Sequence, residues 1–318
     1  MPEPVMNRHV IDIASLDDGA IHFILNRALV LAAGGEPQRA ERTVANLFFE
    51  PSTRTRVSFE LAARRLGLTV INMDGERSST TKGESLVDTL VTLAAMGVEL
   101  AVLRHGQTGI CTEIIDQLPT QLALINAGDG SGEHPTQALL DATVLSSLPR
   151  PLSELTVAIV GDLRHSRVAR SNMALLKRLG VGELRVAGPD AMLPEASVPG
   201  VRVCTTLDQA VADADVVMML RVQRERMDRS GWPDPTLYYR EWGLSEARLA
   251  RAKPDCKVMH PGPINRGMEL DATLADGSRS LILRQVSMSV PVRMAIFEHI
   301  MGRLAASAAN AATQESVK

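Results

Sequence analysis

The chain has 318 residues, a net charge of −3, 45% hydrophobic and 22% charged residues, an ordinary globular balance with room for about two domains. No basic face dominates and aromatics make up only 3%, which argues against nucleic acid as a partner and base stacking as a binding mode. The three isolated cysteines, an N-terminus without signal design and the lack of a bilayer-length apolar run point to reduced thiols in a soluble, cytoplasmic protein with no disulfide framework, no zinc site and no membrane contact.

Helix and strand patterns alternate along the whole chain. Ser15 is placed to cap a helix that runs to about Ala33 and stops at Gly34-Gly35. Strand-like runs follow at 44–49, 69–73, 99–103 and 122–126, separated by helical stretches at 53–66, 84–96 and 108–118 and followed by a helix from Pro135 to about Ser147. Leu148-Pro149-Arg150-Pro151 is a stiff break and marks a domain boundary. The pattern restarts with a strand at 156–160, a turn at Gly161-Asp162 and a helix at 166–179, then strands at 184–187, 201–204, 216–220 and 257–259. Residues 221–242, charged and rich in Pro, Gly and aromatics, read as a functional loop. A last helix is expected at about 290–303 with Pro291 in its first turn, then a small, polar, frayed tail over 306–318. The expected fold is α/β, with two domains, each a parallel sheet flanked by helices. The first covers 1–147 and the second 152–287.

Ligands of open α/β sheets bind beyond the carboxyl ends of the strands, and the polar clusters of this chain fall there. Phe48-Phe49-Glu50-Pro51-Ser52-Thr53-Arg54-Thr55-Arg56 ends a strand and opens a helix. Pro51 stops the strand and Ser52 or Thr53 suits the cap. The turn gathers backbone N–H groups, hydroxyls, a guanidinium and a helix N-terminus, a site for phosphate or another dianion. It is no Walker loop, because the glycines and the GK[ST] ending are missing. Arg104 follows the next strand, and Asn126 to Gln137 brings His134, Thr136 and Gln137 to a helix start. His134 suits donation to a carbonyl oxygen, and Gln137 acceptance from an amide. The segment 160–167 lacks GxGxxG, so a nicotinamide cofactor is not expected. Arg167 and Arg221, each after a strand, suit carboxylates, and His260-Pro261-Gly262-Pro263 fixes backbone carbonyls with a candidate cis bond at Gly262-Pro263. A phosphate-bearing carbonyl compound meeting an amino diacid fits this division.

The segments FFEPSTRTRVSFE, KGESLVDT, LRH, NAGDGSGEHPTQALLD, VGDLRHSRVARSN, RVQRERM and MHPGPINRG resemble, in order, those of the aspartate carbamoyltransferase catalytic-chain family. The resemblance implies that Ser52, Thr53, Arg54 and Thr55 bind the phosphate of carbamoyl phosphate. It implies that Arg104, His134 and Thr55 hold and polarise the carbamoyl oxygen, and that Gln137 orients the carbamoyl NH₂. Arg167 and Arg221 would clamp the aspartate carboxylates with Gln223 nearby, and Pro261 and Gly262 would offer backbone carbonyls to the substrate amines. Ser78 and Lys82 match residues lent to a neighbouring subunit's site, implying a homotrimer with shared active sites. The same resemblance implies that the last helix, about 288–305, returns to the first domain. The implied reaction is direct attack of the L-aspartate amine on carbamoyl phosphate in pyrimidine synthesis, with neither metal nor cofactor. Whether a regulatory chain or a dihydroorotase-like partner joins the trimer is not written in the sequence. Two features depart from the family: Gln285 to Pro291 lacks its usual Asn-Gly pair, and 226–240 does not align. Competing readings are an ornithine carbamoyltransferase, which typically carries His-Cys-Leu-Pro where this chain has His260-Pro261-Gly262-Pro263, a catalytically silent scaffold, and a generic phosphate-binding module.

Overall fold

The computed structural model describes residues 8–74, 83–196, 198–228 and 231–315, and the chain divides into two compact units. The first comprises Met1–Thr143 with Met288–Lys318, the second Val144–Ser287.

In the first unit, α1 (Asp18–Ala32), β1 (Thr43–Phe48), α2 (Thr53–Arg65), β2 (Thr69–Asp74), α3 (Leu86–Ala95), β3 (Leu100–His105), α4 (Ile110–Ile114), β4 (Ala123–Asp129) and α5 (Pro135–Ser146, which passes into the second unit at Val144) alternate. The strands form one sheet in the order β2-β1-β3-β4, every pairing parallel. β4 is buried at every position and β1 at all but its first, so these strands read as continuous apolar runs rather than alternating ones. The helix expected to be capped by Ser15 starts later. Asp17 holds the N-cap and accepts from Ala20 N at 2.6 Å, while Ser15 N donates to Asp12 in the preceding turn. The helix expected over 108–118 is only α4 and a 3₁₀ turn over Ile115–Gln117.

The second unit runs β5 (Thr156–Val160), α6 (Arg167–Arg178), β6 (Glu183–Ala187), β7 (Arg202–Val203), α7 (Leu207–Val211), β8 (Val216–Met219), α8 (Pro235–Trp242), α9 (Glu246–Leu249), β9 (Lys257–Met259) and α10 (Ala272–Asp276). Its sheet has the order β7-β6-β5-β8-β9, again parallel throughout. The segment read as a loop over 221–242 is in part helical. Asp234 accepts from Thr236 N and Leu237 N, both at 2.9 Å, and Pro235 occupies the first turn of α8, a start that tolerates the missing N–H of proline.

The last helix, α11 (Ile282–Glu315), begins well before the expected Val290 and carries Pro291 in its interior. Its helical backbone also continues through the tail, read as frayed, to Glu315. From Met288 onward α11 belongs to the first unit. There the buried Glu298 carboxylate accepts from Arg27 Nε at 2.5 Å, Arg27 Nη2 at 3.0 Å and Gln38 N at 2.8 Å. Phe297 meets Phe59 of α2 edge-on, with ring centroids 5.8 Å apart, a pair worth about 0.5–1.5 kcal/mol beyond its buried area.

His9 is buried where the chain bridges to β4, with Val10 opposite Ile125, and its Nδ1 accepts from Leu124 N at 2.9 Å. Burial, reinforced by the charge of Arg8, pushes the ring down to about 3 from its ordinary 6.5. The unfolded chain binds a proton there that the folded chain refuses. This contribution to stability is therefore present above about pH 6.5 and lost as pH falls towards about 3. His9→Asn keeps an acceptor for Leu124 N but does not titrate. Its melting temperature should fall less between pH 7 and pH 4 than that of the parent, and identical slopes would remove His9 from the acid response.

Candidate active site

The strand register assembles the first-unit groups. Phe48 of β1 lies opposite Arg104 of β3, and Phe49 N donates to Arg104 O at 2.8 Å. The turn after β1 and the Arg104 side chain therefore leave the sheet side by side. Ser52 occupies the N-cap of α2 in an extended conformation, but its side chain makes no capping hydrogen bond, so capping does not consume its hydroxyl. The first turn of α2 holds no acidic residue. Thr53 and Arg54 are exposed, Thr55 is buried, and Ser58 Oγ donates to Arg54 O at 2.6 Å. Hydroxyls, a guanidinium and a helix N-terminus thus meet at one turn, the donor set an oxyanion needs.

Arg104 Nη1 donates to Ala127 O at 3.1 Å, and Nη2 lies 3.5 Å from Glu50 Oε2. Its side chain is thereby held between the turn after β1 and the end of β4. β4 runs into a loop organised by Asp129, whose carboxylate accepts from Gly109 N at 2.8 Å, Glu133 N at 2.7 Å and Asn126 Nδ2 at 3.2 Å. Gly130 sits at φ 43°, and a Cβ there would fall 2.3 Å from Thr108 Oγ1, so only glycine fits. The loop delivers the buried His134, whose Nδ1 lies 3.4 Å from Thr136 Oγ1, to the start of α5. One turn into α5, Gln137 Nε2 donates to Asp141 at 2.9 Å. Ser52, Thr53, Arg54, Thr55, His134 and Gln137 thus follow the carboxyl ends of β1 and β4, and Arg104 is the last residue but one of β3, the strand between them. Ser78 and Lys82 lie outside the described residues, in the segment that follows β2.

In the second unit the same logic applies to β5, β8 and β9, which are neighbours. Asp162, fully buried after β5, accepts from His165 N at 3.2 Å, His165 Nδ1 at 2.8 Å and Gln223 N at 3.0 Å. One carboxylate thereby ties the turn after β5 to the turn after β8. Arg167 is buried as the first residue of α6. Arg221 directs its fork at a carboxylate within its own loop, that of Glu225, with Nη1 donating at 3.0 Å and Nη2 donating to the other oxygen, and reaches Gln223 Oε1 at 2.9 Å. Burial pushes the Glu225 carboxyl up, but the Arg221 hydrogen bond, helped by backbone and by the charge of Arg226, brings it below its ordinary value.

Glu269, fully buried, accepts from Val222 N at 3.2 Å and Asn265 N at 2.8 Å, and burial pushes its carboxyl up. After β9, Gly262 has φ 65°, its N–H donates to His260 Nδ1 at 2.8 Å, and the Gly262-Pro263 bond is cis. Trp232, in the stretch that did not align, donates to Arg224 O at 3.0 Å and lies under the Arg224 guanidinium at 5.6 Å.

Sequence reasoning missed the buried carboxylates Asp129, Asp141, Asp162 and Glu269. The readable signal was an acidic residue directly after an apolar strand and beside glycine, as in Gly128-Asp129 and Gly161-Asp162. Among the described residues no cluster of His, Cys, Asp or Glu is arranged to hold a metal ion, and no helix is long and apolar enough to cross a membrane.

Parallel α/β units with anion-binding groups at the strand ends define a class of protein that binds small charged ligands at the carboxyl edge of each sheet. Comparison with known proteins narrows the class. Residues 8–147 match the aspartate/ornithine carbamoyltransferase carbamoyl-P binding domain, and residues 153–300 match the Asp/Orn binding domain of that family. The chain belongs to the aspartate/ornithine carbamoyltransferase family. It is similar to the Trypanosoma cruzi aspartate transcarbamoylase solved with carbamoyl aspartate and phosphate, at 31% identity over 93% of this chain and 97% of that one, with a TM-score of 0.78. Against a T. cruzi aspartate transcarbamoylase bound to N-(phosphonacetyl)-L-aspartic acid the figures are 30%, 92%, 95% and 0.81. Against the ornithine carbamoyltransferase of Pyrococcus furiosus they are 25%, 93%, 97% and 0.83.

Proposed function

We propose that the chain is an aspartate carbamoyltransferase, moving the carbamoyl group of carbamoyl phosphate to the amine of L-aspartate in pyrimidine synthesis. The observation that carries the choice of amine is the pair Arg167 and Arg221, on the turns after the adjacent strands β5 and β8. Arg221 already grips a carboxylate in fork geometry, as a diacid substrate requires. An ornithine site would need acidic groups for the second amine. The Asp162 carboxylate, the one described on the turn after β5, is consumed by His165 and Gln223. The T. cruzi relative has been solved with carbamoyl phosphate and aspartate together.

In this reading Ser52, Thr53, Arg54 and Thr55 bind the phosphate, with Ser78 and Lys82 supplied by a neighbouring subunit of a homotrimer. Arg104, His134 and Thr55 stabilise the oxyanion as the aspartate amine attacks, and Gln137 holds the carbamoyl NH₂. Pro261 and Gly262 offer carbonyls to the amines, while Arg167, Arg221, Gln223 and Lys82 hold aspartate. Phosphate leaves without a covalent enzyme intermediate. Two anions are held together against their repulsion, so positioning and charge neutralisation supply most of the acceleration.

The test is turnover of carbamoyl phosphate with L-aspartate and, separately, L-ornithine. Product with aspartate alone is expected, and product with ornithine would overturn the assignment. Arg221→Ala removes charged hydrogen bonds worth about 1.5–3 kcal/mol, so KM for aspartate should rise about 10- to 150-fold. Unchanged aspartate saturation would take Arg221 out of the site.

A further inference from the structure

Gln137 and Asp141 stand one turn apart on α5, and the Gln137 amide nitrogen donates to Asp141 Oδ1 at 2.9 Å. Asp141 is completely buried. The cation on α11 that feels its charge is Arg293. Arg293 is itself buried, with its guanidinium 4.7 Å above the Phe59 ring and its Nη1 donating to Ser289 O at 3.0 Å. Burial pushes Arg293 down to about 9, and the Asp141 charge is what opposes that shift. The arrangement joins a proposed substrate residue, through a buried carboxylate, to a buried cation on the last helix.

An ionised carboxylate is an acceptor only, so the end of the Gln137 amide that meets it must be the NH₂. The amide oxygen is then the end left for a ligand. A carbamoyl group presents an NH₂, which an oxygen can accept. An amide turned the other way would set donor against donor. Neither Gln137 nor its rotamer selects between these two arrangements, because the two ends of an amide have nearly the same shape. The fixed partner behind it does.

We propose that Asp141, backed by Arg293, is a positioning residue that fixes the Gln137 oxygen toward the carbamoyl NH₂ and so makes the site prefer carbamoyl phosphate to acyl phosphates lacking that NH₂. The proposal rests on the reading of the site as a carbamoyl phosphate site. It assigns the discrimination to a side chain that never touches the substrate. Acetyl phosphate, with a methyl group in place of NH₂, is the probe that isolates it.

The experiment is calorimetric binding of carbamoyl phosphate, acetyl phosphate and inorganic phosphate to the full chain and to Asp141→Asn. Asparagine presents a donor as well as an acceptor to Gln137 and no longer fixes the amide. Carbamoyl phosphate should bind about tenfold more weakly to the variant, the loss of one hydrogen bond. Acetyl phosphate and inorganic phosphate should bind as before. In a Gln137→Ala background the same Asp141→Asn change should have no further effect. If Asp141→Asn unfolds because the buried Arg293 loses the charge that offsets its burial, Asp141→Asn/Arg293→Met removes both charges and should show the same selective loss. Equal weakening of all three ligands, an unchanged preference, or an effect that survives in the Gln137→Ala background would each overturn the positioning role. A parent chain that does not bind carbamoyl phosphate at all would instead overturn the functional reading and this proposal with it.

Discussion

Arg54→Ala should reduce kcat for carbamoyl transfer by about 10²- to 10³-fold, the scale seen when one oriented donor to a developing charge is removed, while the chain stays folded. Arg54 is an exposed residue in the first turn of α2, and surface positions of this kind usually change stability by no more than about 0.5 kcal/mol. The effect on catalysis is large because of what the turn keeps and what it loses. The variant retains the Ser52 and Thr55 hydroxyls, the backbone N–H groups and the positive end of α2, so inorganic phosphate should still bind. What disappears is the guanidinium proposed to neutralise charge as the phosphate departs. Arg54→Lys should recover only part of the rate, because a point charge does not reproduce a planar fork. Steady-state kinetics alongside thermal melts check this. A kcat within a few-fold of the parent, with an unchanged melting curve, would remove Arg54 from the chemistry.

That the sequence singles out Arg54 as a candidate reflects where its signal lies. Ser52 to Thr55 is local: a proline ends a strand, a cap opens a helix, and the anion donors fall within one turn. The parallel strands were legible for a related reason. Strands buried on both faces are short, unbroken apolar runs, and β5 and β9 fall where the pattern put them. The failures came where one residue has two local meanings. Pro291 is a common first-turn residue and so marked a helix start, but it lies inside α11. In the turns before it Leu283 and Val286 face outward while Ile282 and Gln285 are buried, a phase that cannot be recognised without the partner surface. The start of α8 was readable in Asp234-Pro235, a cap followed by proline, but the surrounding charge masked it.

What the buried carboxylates hold was illegible for a third reason. Asp162 serves Gln223 across 61 residues, and Asp129 serves Gly109 across 20. Arg293, whose guanidinium feels Asp141, is on a helix that reaches the first unit only at the end of the chain. Residues that contact a ligand advertise themselves by type and spacing. Residues that hold those residues in place do so through the fold, and one sequence does not reveal which distant N–H group each of them will meet.

Asp162→Ala turns that distinction into a measurement. In the second unit the Asp162 carboxylate is the shared acceptor for Gln223 N on the turn after β8 and for both His165 N and His165 Nδ1 on the turn after β5. Those turns carry Arg221 and Arg167. Each of these part-buried N–H groups that loses its acceptor costs up to about 1–3 kcal/mol, and the two turns have less reason to keep their spacing. KM for aspartate should rise at least tenfold, since even about 1.4 kcal/mol of lost positioning gives that factor. Binding of carbamoyl phosphate should be unchanged, because most of its proposed ligands belong to the first unit and its second-unit ones, Pro261 and Gly262, follow β9 rather than β5 or β8. Asp162→Asn keeps one acceptor oxygen but turns an NH₂ toward the other donor, so it should fall between the parent and the alanine variant. Aspartate saturation curves and carbamoyl phosphate titrations on the three proteins decide the matter. If the two ligands weaken together, Asp162 supports the whole chain rather than the aspartate turns, and if neither changes, the spacing of Arg167 and Arg221 is set elsewhere.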